Sequence, residues 1–445
     1  MTAHPAGSHF VWIHLYDPHD PYEPPPRFSE TYKGRLYDGE VAYADSALAH
    51  FVAYLKKGGR YDNALIVVVG DHGEGLGDHH ENTHGIFLYD STTHVPLIVK
   101  MPVRSPAKAP GGNGKGKVVE AQVRTTDILP TVTDLLRVPP PEVLDGESLL
   151  PYLVGAEGAG ERSNERVAIG ETDYPLRFGW APLSSVRAEG FKFVEAPRPE
   201  LYDLHTDPGE LANHYQPSNT TVQKFRALLA DGRSRSRPSP ADVASVAAEG
   251  ANDQLKGLGY QGGVDAGSST NASGPSRLPD PRLPDPKDKI EEQNLLHAAM
   301  MASDDNRSDE ARRLLEQVLR RDSKSPTALR QLGELELQAG DYGKAAEHLK
   351  QARAVRPEDA TAAYYEGQAR EKAGDLAGAR DALEASLKLS PGQFPARILL
   401  GQVYLGLKDP KNAEDQFEAA LLLHPKSAEA QLGRSQAQQL QKTAR

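Results

Sequence analysis

The residues best suited to chemistry lie between Ala64 and His84, in ALIVVVGDHGEGLGDHHENTH. Asp71 and His72 come directly after an aliphatic run. Asp78, His79, His80, Glu81 and His84 follow in a short polar loop. Carboxylate oxygen and imidazole nitrogen are the donors that hard and borderline divalent cations take. Imidazoles gathered in one loop can equally hold an oxyanion or carry a proton. An isolated Asp-His-Gly would read as a solvated, salt-bridged turn. The strand-like run before it and the histidines after it make a metal or anion site the better reading. A second reactive stretch, HLYDPHDPY, spans His14 to Tyr22. His19 lies there between stiffening prolines and is a candidate for a functional role, whereas His14 reads as a core histidine and Asp17 as a turn cap.

These groups need rigid elements to hold them. Leu65 to Val69 is a β-branched and aliphatic run, which predicts a strand buried on both faces as in a parallel sheet. In an open α/β sheet, chemistry sits just beyond the carboxyl ends of the strands. Gly70 and Gly73 would let the backbone turn tightly around Asp71 and His72. Phe10 to Leu15 predicts another buried strand. Tyr37 to Lys57 carries Val41, Ala44, Leu48, Phe51, Val52 and Leu55 at helical spacing, and Gly58 and Gly59 stop it. Strand, helix, strand is the crossover unit of a parallel sheet. Val95 to Val99 predicts a further strand, Gly111 to Lys117 a surface loop, and Thr126 to Leu136 a helix.

The tail is periodic. Gly333, Gly367 and Gly401 are 34 residues apart, as are Asp341, Asp375 and Asp409, Ala345, Ala379 and Ala413, and Pro357, Pro391 and Pro425. Small residues let paired helices approach closely, and a proline closes each unit. This is the tetratricopeptide pattern. A weaker unit ends near Asp322, with Ala311 one period before Ala345. The array thus comprises about four helical hairpins, enough to stack a continuous core and offer a surface to a peptide or protein partner. A long coiled coil is excluded because glycines recur on schedule and no heptad persists.

Bulk properties bound the rest. The 445 residues suffice for two or three domains, and a net charge of −11 argues against a broad nucleic-acid footprint. The absence of cysteine excludes disulfides and cysteine metal sites within this chain. No apolar run reaches the length of a membrane span, and no signal-peptide pattern opens the sequence. From Ser234 to Pro286 the composition shifts to Ser, Arg, Gly, Pro and Asp. The expected layout is a catalytic-type domain over 1–230, a linker over 231–289 with a short helix at 243–260, and a repeat domain over 290–445.

Residues Phe10 to about Tyr215 resemble the second half of the sulfatase catalytic domain, in the alkaline-phosphatase superfamily. The matching pieces are HLYDPHDPY, YDGEVAYAD, DNALIVVVGDHGEGLGDH, HGIFLYDSTTHVPLIV, TDILPTVTDLL, DGESLLPYL and SVRAEGFKFVEAPRPELYDLHTDPGELANH, in the family's order. The resemblance implies a partial alkaline-phosphatase-type parallel sheet sandwiched by helices, followed by the all-α solenoid. It implies a divalent metal at Asp71 and His72, usually calcium, with zinc or manganese as alternatives. It places the sulfate-contacting histidine at His19. It places at His84 a position that is Lys or His in relatives, which makes His19 and His84 the substrate-binding and catalytic pair. Tyr202 and Asp203 fall in the small C-terminal subdomain and have structural roles.

The family also uses an aspartate pair on its first strand and a nucleophile, a Cys in C-x-P-S-R (oxidised to formylglycine) or a Ser or Thr. Neither element is found in this sequence. Ser273 to Arg277 spell S-G-P-S-R but follow the metal motif and sit in a low-complexity tract, so they are set aside. A cation held by one Asp and one His would be under-coordinated. Three functions follow as expectations: a sulfate-ester hydrolase whose nucleophile segment is missing here, a phosphoryl or phosphonate ester hydrolase of the same superfamily, and a catalytically inert scaffold that binds a partner. This chain by itself is expected to be inactive and to expose hydrophobic sheet edges. Export of relatives implies a periplasmic or extracytoplasmic location for the complete protein.

Overall fold

The computed structural model describes residues 7–103, 116–154, 166–235 and 282–443. They fall into two compact units, one built from 7–103, 116–154, 166–172 and 183–235, the other from 173–182 and 282–443. The architecture is α/β, with small sheets and helices, followed by an all-α solenoid. The S-G-P-S-R stretch, the 243–260 segment and most of the Gly111 to Lys117 loop lie outside the described residues.

In the first unit, α1 (Pro26–Thr31) starts on a proline, whose fixed φ suits a first helical turn. It precedes α2 (Leu36–Lys57), which matches the apolar spacing read from the sequence. The left-handed residue that ends α2 is Gly59, with φ +64°, rather than Gly58. β1 (Ile66–Val69) leads to the histidine loop and to α3 (Asp90–Thr93) and β2 (Leu97–Lys100). β1 and β2 pair antiparallel, with Ile66 opposite Lys100 and Val69 opposite Leu97. The expected parallel pairing is thereby corrected at this pair. No long crossover helix separates the two strands, and a chain that returns without one comes back antiparallel. Nor is β1 buried on both faces, since Val69 is 40% exposed.

Phe10 to Leu15 does not form the predicted strand. It is irregular and open, with Phe10 87% and Trp12 79% exposed, and His14 is exposed rather than a core histidine. An apolar run is buried only when another element covers it, and among the described residues no strand pairs with it.

Helix α4 (Ile128–Leu136) and the short α5 (Leu150–Val154) lead to a second sheet. Its strands β3 (Ala168–Thr172), β4 (Leu183–Ala188), β5 (Phe191–Glu195) and β6 (Glu200–Asp203) form an antiparallel meander in chain order. Val186, Phe193 and Leu201 meet Val222, Phe225 and Leu229 of α6 (Thr220–Arg235) in a closed core. Tyr202 and Asp203 lie on β6, in this subdomain, away from the histidine loop in sequence.

The second unit contains nine helices among the described residues. They are α7 (Ile290–Asp304), α8 (Ser308–Arg321), α9 (Pro326–Ala339), α10 (Tyr342–Val355), α11 (Ala360–Lys372), α12 (Leu376–Leu389), α13 (Phe394–Gly406), α14 (Pro410–Leu423) and α15 (Ala428–Thr443). A Cβ added at Gly333, Gly367 or Gly401 would come within 2.6, 2.5 or 2.7 Å of Leu349, Leu383 or Phe417. Those glycines therefore mark close helix crossings, and the three residues they face are themselves 34 apart. Asp375 and Asp409 cap α12 and α14 by accepting the Gly378 and Asn412 amides. Asn306, Gly340, Gly374 and Lys408 turn the chain between paired helices with φ between +60° and +84°.

Candidate functional site

The loop carrying His19 is held from behind by α2. Glu40, 2% exposed, accepts the backbone amides of His19 at 3.1 Å and Glu23 at 2.7 Å. Burial raises its pKa, and the two amides act in the opposite direction. The His19 ring stacks on Tyr16 at 4.6 Å between centroids, and its Nδ1 lies 2.6 Å from the Asp20 carbonyl. A carbonyl only accepts, so an Nδ1 proton would satisfy it, and the Tyr16 hydroxyl lies 2.9 Å from the same nitrogen.

His72 follows β1 directly. Its Nδ1 lies 2.9 Å from the Gly73 carbonyl, and its backbone amide donates to Asp71 Oδ1 at 3.0 Å. Its Nε2 is 3.9 Å from Asp71 Oδ2, with the Asp71 side chain largely exposed. Gly73 is required by close approach more than by a sharp turn: a Cβ there would sit 2.2 Å from the Ser91 carbonyl. The Gly73 and Glu74 amides donate to the Thr92 and Ser91 carbonyls, which ties the motif to α3.

His84 closes the cluster. Its ring centroid is 4.0 Å from His72 and 5.5 Å from His19. Its Nδ1 meets both oxygens of Glu74, at 3.1 and 3.3 Å. Burial works against a charge on His84, but Glu74, Glu81 and Asp71 outweigh it and raise its pKa. Glu74 is buried, and Tyr22 and Tyr37 pack beside it, edge to face at 5.4 Å. Burial and the Glu74 charge push both phenols upward.

The other loop residues go elsewhere. Leu76, His79 and His80 all have left-handed backbones, with φ of 49°, 52° and 67°, a geometry that costs about 1–2 kcal/mol per non-glycine residue. This path stacks His79 on Tyr89 at 3.5 Å, where burial lowers its pKa. Glu81 turns inward and accepts the Ile86 and Phe87 amides at 2.8 and 3.3 Å. Burial raises its pKa to about 7. His84, by contrast, lies against the His72 ring.

Sequence reading missed the supports. Glu40 and Glu74 each lock a candidate residue, yet both read as ordinary helix or loop acids. It also missed a buried ion network behind α3. Lys192, 1% exposed, bonds Asp90 at 2.9 Å and Glu210 at 3.1 Å, and Arg187 reaches Asp90 at 3.2 Å. The cue was the Asp90 of LYDSTTHVP, an acid in an otherwise apolar and hydroxylic stretch.

Among the described residues no group of three or more His or acidic side chains is arranged to hold a metal ion. The donor chemistry at Asp71 and His72 nonetheless suits a divalent cation. His72 gives its Nδ1 proton to a backbone carbonyl and so presents Nε2, the arrangement metal-binding histidines commonly adopt. Two donors are a fraction of a coordination shell, and the remainder would come from substrate, water or other protein groups.

Family models place these observations. The Sulfatase model matches residues 2–138, and the model for the C-terminal region of N-sulphoglucosamine sulphohydrolase matches 79–232. The amino-terminal half of this chain thus matches sulfatase-family models. Tetratricopeptide models match 298–350, 330–394 and 371–437. The sulfatase half is 31% identical over 192 residues to the multifunctional alkaline phosphatase superfamily protein PehA of Trinickia caryophylli, covering 40% of this chain and 35% of that protein. It is 30% identical over 200 residues to arylsulfatase K of Gallus gallus, covering 44% and 36%. It is also 30% identical over 182 residues to a Δ4,5-hexuronate-2-O-sulfatase of Bacteroides thetaiotaomicron, covering 39% and 36%. The chain thus spans about a third of the length of these relatives. Among solved structures, MamA protein covers 34% of this chain and 82% of its own at 23% identity and a TM-score of 0.33. No helix among the described residues is long and apolar enough to cross a membrane.

Proposed function

We propose that this sulfatase-family protein hydrolyses sulfate esters with the help of a divalent cation, most simply calcium, and that its repeat domain recruits a protein or peptide partner. The observation that carries the reading is the convergence of His19, His72 and His84 beside Asp71. An anionic tetrahedral group fits the chemistry of this cluster. Each ring has its Nδ1 engaged by the protein, so Nε2 is the nitrogen left, to meet a cation on His72 and, in the imidazolium form, to donate to substrate oxygen on His19 and His84. His19 and His84 would bind the non-bridging oxygens, where charge builds in the transition state. One of them would hold the proton that passes to the departing alkoxide when the S–O bond breaks. A cation, when bound at Asp71 and His72, would polarise the ester oxygens and counter their charge. The attacking nucleophile is assigned to residues other than those described, in keeping with the family's use of a formylglycine, serine or threonine.

A phosphate or phosphonate ester is the second reading. It is favoured by His84, an imidazole where many family members have lysine, and by the likeness to a multifunctional superfamily protein. The test uses the native protein with 4-nitrophenyl sulfate and 4-nitrophenyl phosphate, with and without a chelator. Faster, chelator-sensitive release from the sulfate supports the first reading, and the reverse preference supports the second. His72→Ala should lower turnover on the order of 10²–10³-fold. Unchanged turnover in that variant would sink the site assignment. No hydrolysis by any native form would leave the partner-binding scaffold as the function of this protein.

A further inference from the structure

The three clustered histidines share a feature beyond proximity. In each, the protein occupies Nδ1: the Asp20 carbonyl at 2.6 Å for His19, the Gly73 carbonyl at 2.9 Å for His72, and the Glu74 carboxylate at 3.1 and 3.3 Å for His84. Two of these acceptors are main-chain atoms that come with the fold of the loop. The third is a side chain, and it is nearly inaccessible to solvent, at 4% exposure. Burying a carboxylate is costly unless it is paired, and here the imidazole is its partner.

We infer that Glu74 is a positioning residue, which holds His84 with Nδ1–H inward and Nε2 presented beside His72 and His19. The inference rests on the ester-hydrolysis reading for its functional meaning, but its structural content stands on the geometry alone. Position 74 is well built for the task. The Glu74 amide is pinned to the Ser91 carbonyl at 3.1 Å. Gly73 before it and Gly75 after it allow no Cβ, since one would meet the Ser91 carbonyl at 2.2 Å and the Glu81 carbonyl at 2.4 Å. The carboxylate therefore has a fixed origin, with Tyr22 and Tyr37 close enough to feel its charge. A free imidazole favours no single ring orientation in a loop, so without this anchor His84 could rotate and offer either nitrogen.

The test uses the full chain labelled with ¹⁵N-histidine, observed at a pH where the rings are neutral. In the parent protein His84 should carry its proton on Nδ1. Glu74→Gln keeps an acceptor oxygen at that position and should retain this tautomer. Glu74→Ala should shift the proton towards Nε2, with the His19 and His72 ring signals unmoved as the sign that the loop is still folded. An Nε2-protonated His84 in the parent, or an unchanged tautomer in Glu74→Ala, overturns the inference. If Glu74→Ala disturbs all three rings, Glu74→Gln decides: loss of the Nδ1 tautomer there, with His19 and His72 intact, also overturns it. Titration with inorganic sulfate separates this outcome from the functional reading. Sulfate that moves no histidine signal counts against an anion site while leaving the Glu74–His84 pair standing.

Discussion

The sulfatase half and the repeat half solve burial in different ways. In the solenoid each helix meets its neighbours in sequence, and Ala345, Ala379 and Ala413 are all fully buried by contacts one repeat long. In the sulfatase half the decisive contacts are long. Tyr89 reaches Glu200, and Lys192 reaches Asp90, about a hundred residues apart. Its apolar run at Phe10 to Leu15 stays open. A local code tolerates being read in pieces, whereas a long-range one fails when any partner is removed.

The comparison breaks most sharply at Lys192. Lys192→Ala would leave the buried Glu210 without its cation and Asp90 with Arg187 alone. It should destabilise the sulfatase unit by about 3–5 kcal/mol while leaving the helical transition of the repeats in place. Two calorimetric transitions that move together would contradict this. The next effect is pH-dependent. Glu81 titrates near 7 in the folded protein, well above an unfolded glutamate, so the native state holds the proton in between. Its contribution to stability is present below the unfolded value and is lost as pH rises through about 7. At about 1.4 kcal/mol per unit the loss is on the order of 3 kcal/mol. Glu81→Gln should therefore raise the melting temperature at pH 8 and flatten the decline between pH 5 and 8. An unchanged profile in thermal melts would refute the buried charge.

Within the repeats the effects should be smaller and local. Gly367→Ala places a methyl 2.5 Å from Leu383 and should cost about 1–3 kcal/mol in chemical denaturation. The same substitution at the exposed Gly343, where a Cβ meets nothing, should change little. The smallest effect has the opposite sign. Lys408 occupies the left-handed position that Gly340 and Gly374 fill in the preceding repeats. Lys408→Gly should stabilise the array by about 0.5–1 kcal/mol, and a lower denaturation midpoint would show that the lysine side chain contributes more than its backbone costs.

The solenoid was legible because its small residues recur at a fixed period. Even so, part of the period was hidden. The left-handed turn position is filled by Asn306, Gly340, Gly374 and Lys408, so composition alone conceals a repeat that φ reveals. The candidate site was legible by residue type: His19, His72 and His84 come together and Asp71 adjoins them. Its supports were not. Glu40 lies 21 residues from His19, and Glu74 lies 10 from His84, separations at which no periodicity signals contact. His79 and Glu81 resembled site residues equally well in sequence, and the backbone path turned them away.

The amino-acid sequence by itself determined the order of the two halves, the repeat spacing, the helix over Leu36–Lys57 and the choice of imidazole and carboxylate at the candidate site. These depend on residue type and on spacing within a few turns of chain. Tertiary structure alone decided which histidines meet, which nitrogen of each is engaged, how β1 pairs and whether Phe10 to Leu15 is covered. The reason is physical: burial, strand pairing and ring orientation are properties of what lies alongside a residue, and the neighbours here come from distant parts of the chain.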